Sequence, residues 1–251
     1  MAELEREMVT VGGRQTAYFT GGEGEPLVFL HGGGIVEGVD CFAPLADQFR
    51  FVAPQTPGFD RTELRPPIQS IDELVAHTVA LLDEIGVGSF ALVGHSLGGW
   101  VAASLAAAHP ERVHSLVIAA AYGMDAPLAN TRDMGGDELY STLTSDPSIF
   151  EGLVPAGEDP EFEAARALEG ASMGGFVPGP FDPALTAKLP RLTMPLLIQW
   201  GEDDRIVPVG HLPLWEAALP KARVAVYPGV GHLLFWEHRP AVDAIAEFAA
   251  S

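Results

Sequence analysis

The run Phe90-Ala91-Leu92-Val93-Gly94-His95-Ser96-Leu97-Gly98-Gly99-Trp100 decides how the rest of the chain is read. Its four leading apolar residues, uninterrupted by polar ones, predict a strand buried on both faces. Trp100–Ala108 is dominated by alanine and closes on His109-Pro110, which predicts a helix. Between them stands Gly94-x-Ser96-x-Gly98. Alone this pattern is common. Flanked by strand and helix, it describes a sharp turn that lifts a serine hydroxyl above a sheet. Such a turn brings the backbone on either side so close that a Cβ at Gly94 or Gly98 would collide, so sterics demand glycine at both. The competing reading is a glycine-rich turn carrying an incidental serine.

Working outward, short β-rich runs alternate with helical stretches, the pattern of an α/β fold with a mostly parallel central sheet flanked by helices. Glu7–Val11 and Arg14–Phe19 flank Gly12-Gly13 as a hairpin. Leu27–Leu30 and Phe51–Ala53 read as buried strands. Ser70 and Glu73 form a capping box before Ile71, Leu74, Val75, Thr78, Leu81 and Leu82 recur at helical spacing, and Gly86 ends that helix. Val113–Ala121, Pro195–Trp200 and Arg223–Tyr227 are further strands. Helices are expected near Val209–Leu219 and from about Pro240.

Between Tyr122 and Arg191 the texture changes, with frequent Gly and Pro and no strong strand. A structureless loop of that length is improbable in a compact domain, so the stretch reads as a helical cap inserted between two sheet strands. The expected organisation is a core of residues 1–121 and 192–251 with a cap at 122–191, forming one compact unit. Met134, Leu139, Leu143, Leu153, Met173, Phe176 and Val177 are apolar candidates for the cap's underside, each equally suited to packing. Arg132 and Arg166 are its basic groups before Lys188, so no strong anion receptor is expected. Gly174-Gly175 and Gly179-Pro180 are candidate hinges.

Composition narrows the partners. Fourteen basic against 34 acidic side chains give a formal net charge of −20, a field that repels nucleic acid and anionic membranes. No apolar run is long enough for a membrane span, and the acidic start Met1–Glu7 lacks a signal-peptide plan. A cytoplasmic protein acting on a small molecule is the expectation. Cys41 is the single cysteine, which excludes an intrachain disulfide and a cysteine-based metal cage. No set of histidines has metal-ligand spacing. His77 falls on a helix, His109 and His114 flank a turn, and His211 and His238 are expected at the surface. His31-Gly32-Gly33-Gly34 invites a dinucleotide reading, but the fingerprint needs glycine at position 37, where Glu37 stands. No cofactor is expected.

A serine hydroxyl needs a base, and the base needs an orienting carboxylate. Asp204 follows the strand at 195–200, and His232 lies in the loop after the last strand, where α/β sheets assemble their sites. The chain resembles the α/β-hydrolase superfamily over nearly its whole length. Gly201-Glu202-Asp203-Asp204 with Val207-Pro208 matches the family's acid loop, and Gly229-Val230-Gly231-His232 matches its base loop. The resemblance implies a Ser96–Asp204–His232 triad, with Asp203 as the register alternative and Asp125 as the alternative after the preceding strand. His95 precedes the serine and points away from the chemistry if Ser96 points up. For the oxyanion, the N–H of Leu97 is one candidate donor, and Gly33 is the other by resemblance, with Gly34 next. No metal takes part in this arrangement.

These residues imply a serine hydrolase acting on a small to medium, largely apolar carboxylic ester through an acyl-Ser96 intermediate. Relatives with the same triad cleave carbon–carbon bonds of ring-cleavage products, or lactones. Epoxide hydrolases and haloalkane dehalogenases resemble the fold but place Asp at the position of Ser96. A non-catalytic ligand receptor is the reading from outside enzymology.

Overall fold

A computed structural model describes residues 3–34, 38–60, 62–129, 134, 136–151, 154–155, 159–176 and 181–250. Its sheet has eight strands: β1 (Glu5–Val11), β2 (Arg14–Gly21), β3 (Pro26–Leu30), β4 (Arg50–Pro54), β5 (Phe90–His95), β6 (Val113–Ala119), β7 (Leu196–Gly201) and β8 (Arg223–Tyr227). Their spatial order is β1-β2-β4-β3-β5-β6-β7-β8. The β1–β2 and β2–β4 pairings are antiparallel, and the rest are parallel. From β3 the chain turns toward β4 on one side and then returns to β5 on the other. The C-terminal ends of β3 and β5 therefore flank the crevice where such sheets bind ligands.

The helices follow their local signals. Ser70 caps α1 (Ile71–Glu84), its Oγ accepting the Glu73 N–H at 3.1 Å, and Ile71, Leu74, Val75, Thr78, Leu81 and Leu82 are buried. Gly86 takes a left-handed φ of 72° just past the helix end. Helix α2 (Leu97–Ala108) starts three residues earlier than its alanine run. It is buried nearly all round, so no polar stripe marks its sequence. The segment expected as one helix near 209–219 divides into a 3-10 turn, Val209–His211, and α6 (Leu212–Ala218). Two short C-terminal helices follow β8, α7 (Leu234–Glu237) and α8 (Arg239–Ala249). His211 corrects its expected surface position. It is buried, and its Nε2–H donates to the Pro127 carbonyl at 2.9 Å.

Between β6 and β7 lie α3 (Gly136–Leu143), a 3-10 turn at Pro147–Phe150, α4 (Pro160–Phe176) and α5 (Leu185–Lys188). Among the described residues this stretch holds only isolated bridges, Gly123 with Phe181 and Glu151 with Val154. Gly174 and Gly175 fall inside the last turn of α4 and not at a break between elements. Arg132, Leu153, Val177 and Gly179-Pro180 lie outside the described residues, as does the Phe176 side chain. Among the described residues no helix is long and apolar enough to cross a membrane.

Candidate active site

Ser96 sits in the turn between β5 and α2 with φ 56° and ψ −121°, a conformation that a non-glycine residue adopts only under constraint. The constraint is the packing around it. A Cβ on Gly94 would lie 2.3 Å from the Gly98 carbonyl oxygen, and one on Gly98 would lie 2.0 Å from the Leu30 carbonyl oxygen. The second clash is with the neighbouring strand β3, so Gly98 fixes the turn against the sheet as well as against itself. Ser96 N–H donates to Ala119 O at 2.9 Å, and Ser96 O accepts from Gly99 and Tyr122. The strained residue is thus bonded to β6 and to the chain beyond it.

The structure brings Ser96, His232 and Asp204 together across 136 residues of sequence. Ser96 Oγ is 3.0 Å from His232 Nε2, and His232 Nδ1 is 2.8 Å from Asp204 Oδ2. All three residues are buried. The other Asp204 oxygen accepts the N–H groups of Ile206 and Val207, both at 2.8 Å, which fixes the carboxylate plane. An acceptor oxygen facing Nδ1 requires the proton there, leaving Nε2 to accept from the serine hydroxyl. Asp203 and Asp125 are exposed, and neither is placed against His232. The approach of the acid and base loops again depends on a glycine. A Cβ on Gly201 would lie 2.2 Å from the Gly231 carbonyl oxygen.

The glycine loop after β3 faces the serine. A Cβ on Gly32 would be 3.1 Å from Ser96 Cβ, and one on Gly33 would meet the Met173 sulfur at 2.5 Å. Leu97 heads α2, where first-turn N–H groups have no helical partner. His31 holds the loop from below, its Nδ1–H donating to Gly32 O at 2.7 Å while Nε2 accepts the Thr56 N–H at 3.0 Å. That bonding needs a neutral ring, and burial lowers its pKa to about 4.

Several contacts have no signal in the sequence. His95 reaches the wall of the cavity at Ser96, and its Nε2–H donates to the His232 carbonyl at 2.8 Å, so the residue before the serine braces the base loop. Burial, reinforced by the neighbouring His232, lowers the His95 pKa to about 3. Arg205 donates to the carbonyls of Ser141 and Thr144, the latter at 3.0 Å, and Leu233 N–H donates to Leu143 O at 3.2 Å. Glu237 Oε2 accepts from both Ser145 N at 2.9 Å and Gly231 N at 3.0 Å. The end of α3 is therefore tied to both loops that carry Asp204 and His232.

Above Ser96 is a cavity of about 160 Å³. Leu139, Leu143, Met173, Ile206, Leu233 and Trp236 form apolar walls, joined by Tyr122, His95, Arg166 and the glycine loop. Burial, and then the charge of Asp204, raise the Tyr122 phenol pKa to about 12, so it faces the cavity as a neutral hydroxyl. Arg166 reaches the cavity against Gly34 while ion-paired with Glu169. Among the described residues no cluster of three or more His, Cys, Asp or Glu could hold a metal.

A family model described as the alpha/beta hydrolase family matches residues 27–245, and the chain belongs to that family. It is 28% identical over 250 residues to a 2-hydroxy-6-oxo-6-phenylhexa-2,4-dienoate hydrolase of Burkholderia cepacia, covering 89% of this chain and 87% of that one. It is 30% identical over 250 residues to a 2-hydroxy-6-oxononadienedioate/2-hydroxy-6-oxononatrienedioate hydrolase of Burkholderia vietnamiensis, covering 87% and 84%. Among solved structures, a serine hydrolase involved in carbazole degradation superposes with a TM-score of 0.81 at 25% identity over 99% of both chains. A naproxen esterase of Bacillus subtilis shares the fold at 18% identity, with a TM-score of 0.76 over 97% of this chain and 90% of that one.

Proposed function

We propose that this hydrolase cleaves small, largely apolar carboxylic esters through an acyl-Ser96 intermediate, with His232 as general base and acid and Asp204 as its orienting carboxylate. The observation that carries the reading is the unbroken hydrogen-bond chain from Ser96 Oγ through His232 to Asp204. As Ser96 Oγ attacks the ester carbonyl carbon, His232 Nε2 takes its proton and the carbonyl oxygen becomes an oxyanion. The N–H groups of Leu97 and Gly33 are assigned to receive that charge. Collapse expels the alcohol, which takes the proton back from the imidazolium. Water then repeats the sequence on the acyl-Ser96 ester and releases the acid. In this reading the residues between β6 and β7 act as the cap, covering the serine with the Leu139, Leu143 and Met173 side chains.

Cavity size supports a small substrate. A dry cavity near 150 Å³ accommodates about one benzene ring, and the space above Ser96 is of that size. An ester also asks least of the site, because its alkoxide leaving group needs only the proton held on His232.

A second reading is cleavage of a carbon–carbon bond in a dienoate. It is favoured by Arg166, whose guanidinium lines the cavity beside Gly34 while paired with Glu169, together with the names of the two Burkholderia relatives. The test is turnover of nitrophenyl esters, lactones and dienoates by wild type and Ser96→Ala. The expected result is ester hydrolysis that falls at least about 10³-fold in the variant, with an acyl adduct on Ser96 by mass spectrometry. Dienoate cleavage far faster than any ester moves the assignment to the second reading. Turnover unchanged in Ser96→Ala removes both.

A further inference from the structure

Trp236 belongs to the walls of two cavities. One is the space above Ser96. The other, of about 540 Å³, opens on the far side among Asp40, Cys41, Ala43, Pro44, Phe235 and Arg239. Among the described residues Trp236 is the one side chain common to both walls.

We infer that the Trp236 indole is the partition that sets the length limit of the substrate, confining it to short chains and closing the outer cavity to a longer acyl group. The inference rests on the ester-hydrolase reading for its substrate class.

The indole is built as a fixed wall. Its Nε1–H donates to the Gly38 carbonyl at 2.5 Å, tying α7 to the segment after the glycine loop. The ring meets the fully buried Phe42 edge-on, with centroids 5.8 Å apart at 80°, and lies 5.4 Å from the His95 ring. Its backbone N–H is bonded to Leu233 O at 2.9 Å, one residue beyond His232. Rings packed edge to face, with the indole N–H satisfied, have little freedom to swing aside. A chain extending from the carbonyl at Ser96 toward α7 therefore ends at the indole. Beyond it, Ala43, Pro44 and Phe235 offer apolar surface to methylenes that have passed the partition.

The experiment compares hydrolysis of nitrophenyl acetate, butyrate and octanoate by wild type, Trp236→Ala and Trp236→Leu, reading the octanoate-to-acetate ratio of kcat/KM. Wild type is expected to favour the short esters. The ratio is expected to rise about tenfold or more in Trp236→Ala, the scale of discrimination that a few methylenes give in an apolar pocket. Adding Ala43→Phe to Trp236→Ala fills the outer cavity alone and should return the ratio toward wild type. A parallel arm needs no turnover: in the Ser96→Ala background, calorimetry measures octanamide against acetamide, and Trp236→Ala should tighten octanamide at least about tenfold. Wild type preferring octanoate, or folded Trp236→Ala and Trp236→Leu proteins both keeping the wild-type length ratio, would overturn the partition. Loss of the ester reading shows separately, as ester turnover indifferent to Ser96→Ala, and the calorimetric arm then decides the partition by itself.

Discussion

Helices α3 and α4 both contribute to the wall above Ser96, yet they are fastened in different ways. The end of α3 is bonded to the acid and base loops through Arg205, the Leu233 N–H and the Glu237 carboxylate. Helix α4 leans on the opposite side, over the glycine loop, through the Met173 thioether on Gly33 and the Arg166 guanidinium on Gly34. One polar tie adds to this, Ser172 Oγ donating to Pro57 O. The first attachment is a set of directional hydrogen bonds, each with a backbone group of the α3 end or of a loop as at least one partner and one of them backbone to backbone. The second runs mainly through long side chains that can repack. The difference teaches that the two halves of the site have unequal tolerance: the loops that carry Asp204 and His232 are held by directional hydrogen bonds, and the glycine loop is held by side-chain contact.

The largest test of that contrast is at the carboxylate. Asp204→Asn should lower kcat by about 10⁴-fold, because the imidazole loses the acceptor that fixes its tautomer. Asp203→Asn should stay within about twofold of wild type in the same ester assay. Reversal of the two results would assign the acid to the other register.

Next in size is a pair of glycine substitutions. Gly98→Ala places a methyl 2.0 Å from the Leu30 carbonyl oxygen, a backbone atom that cannot move aside. The expected loss is about 3 kcal/mol or more, lowering Tm by about 6–12 °C in a chain of this size. Gly33→Ala meets only the end of Met173, so its Tm should stay within about 2 °C of wild type, although its kinetics should suffer. Equal Tm losses would show that α4 is as rigidly held as the turn.

Glu237→Ala is expected to have a smaller effect, localised to α3. It leaves the Gly231 and Ser145 N–H groups without their acceptor, a loss of about 1–3 kcal/mol that water partly offsets at Ser145. Amide exchange over 143–145 and 231–233 should quicken, whereas Met173→Ala should leave those amides at their wild-type rates. Unchanged exchange in Glu237→Ala would remove the clamp from the account.

The smallest expected effect is on pH dependence. In the fold, burial holds the pKa values of His31, His77 and His95 down to about 4, 4 and 3 respectively. The unfolded chain protonates them near 6.5. Below that value the unfolded state binds more protons, so stability is full above about pH 6.5 and is lost as pH falls toward 4. His77→Gln removes one such site away from the catalytic cavity. The slope of unfolding free energy against pH between 6 and 4.5 should fall by about one proton, measured by urea titration at each pH.

Much of this was readable in one dimension. Each strand run had its own β-branched or apolar signature, and Ser70, Glu73 and Gly86 marked the ends of α1 by local chemistry alone. The burial of His211 was not readable, because it depends on a bond to Pro127, whereas the division of 209–219 falls beside Pro213, which occupies the first turn of α6 as a local signal. Gly174 and Gly175 stand in the last turn of α4, where each glycine weakens the helix by about 1 kcal/mol, a local cost that does not by itself end it.

By itself, the sequence determined the turn at Ser96. Gly94 and Gly98 permit its conformation, and the flanking strand and helix signals place it at a sheet's C-terminal edge. The sequence also narrowed the partner residues to His232 and to Asp204, with Asp203 and Asp125 as the alternatives, since motif spacing is local. Tertiary structure decided which carboxylate faces the imidazole, because Asp203 and Asp204 differ only in direction at the end of β7. It also decided what surrounds the serine. The His95 brace, the Glu237 clamp and the Trp236 wall each join residues distant in the chain, and no local propensity encodes a meeting between them.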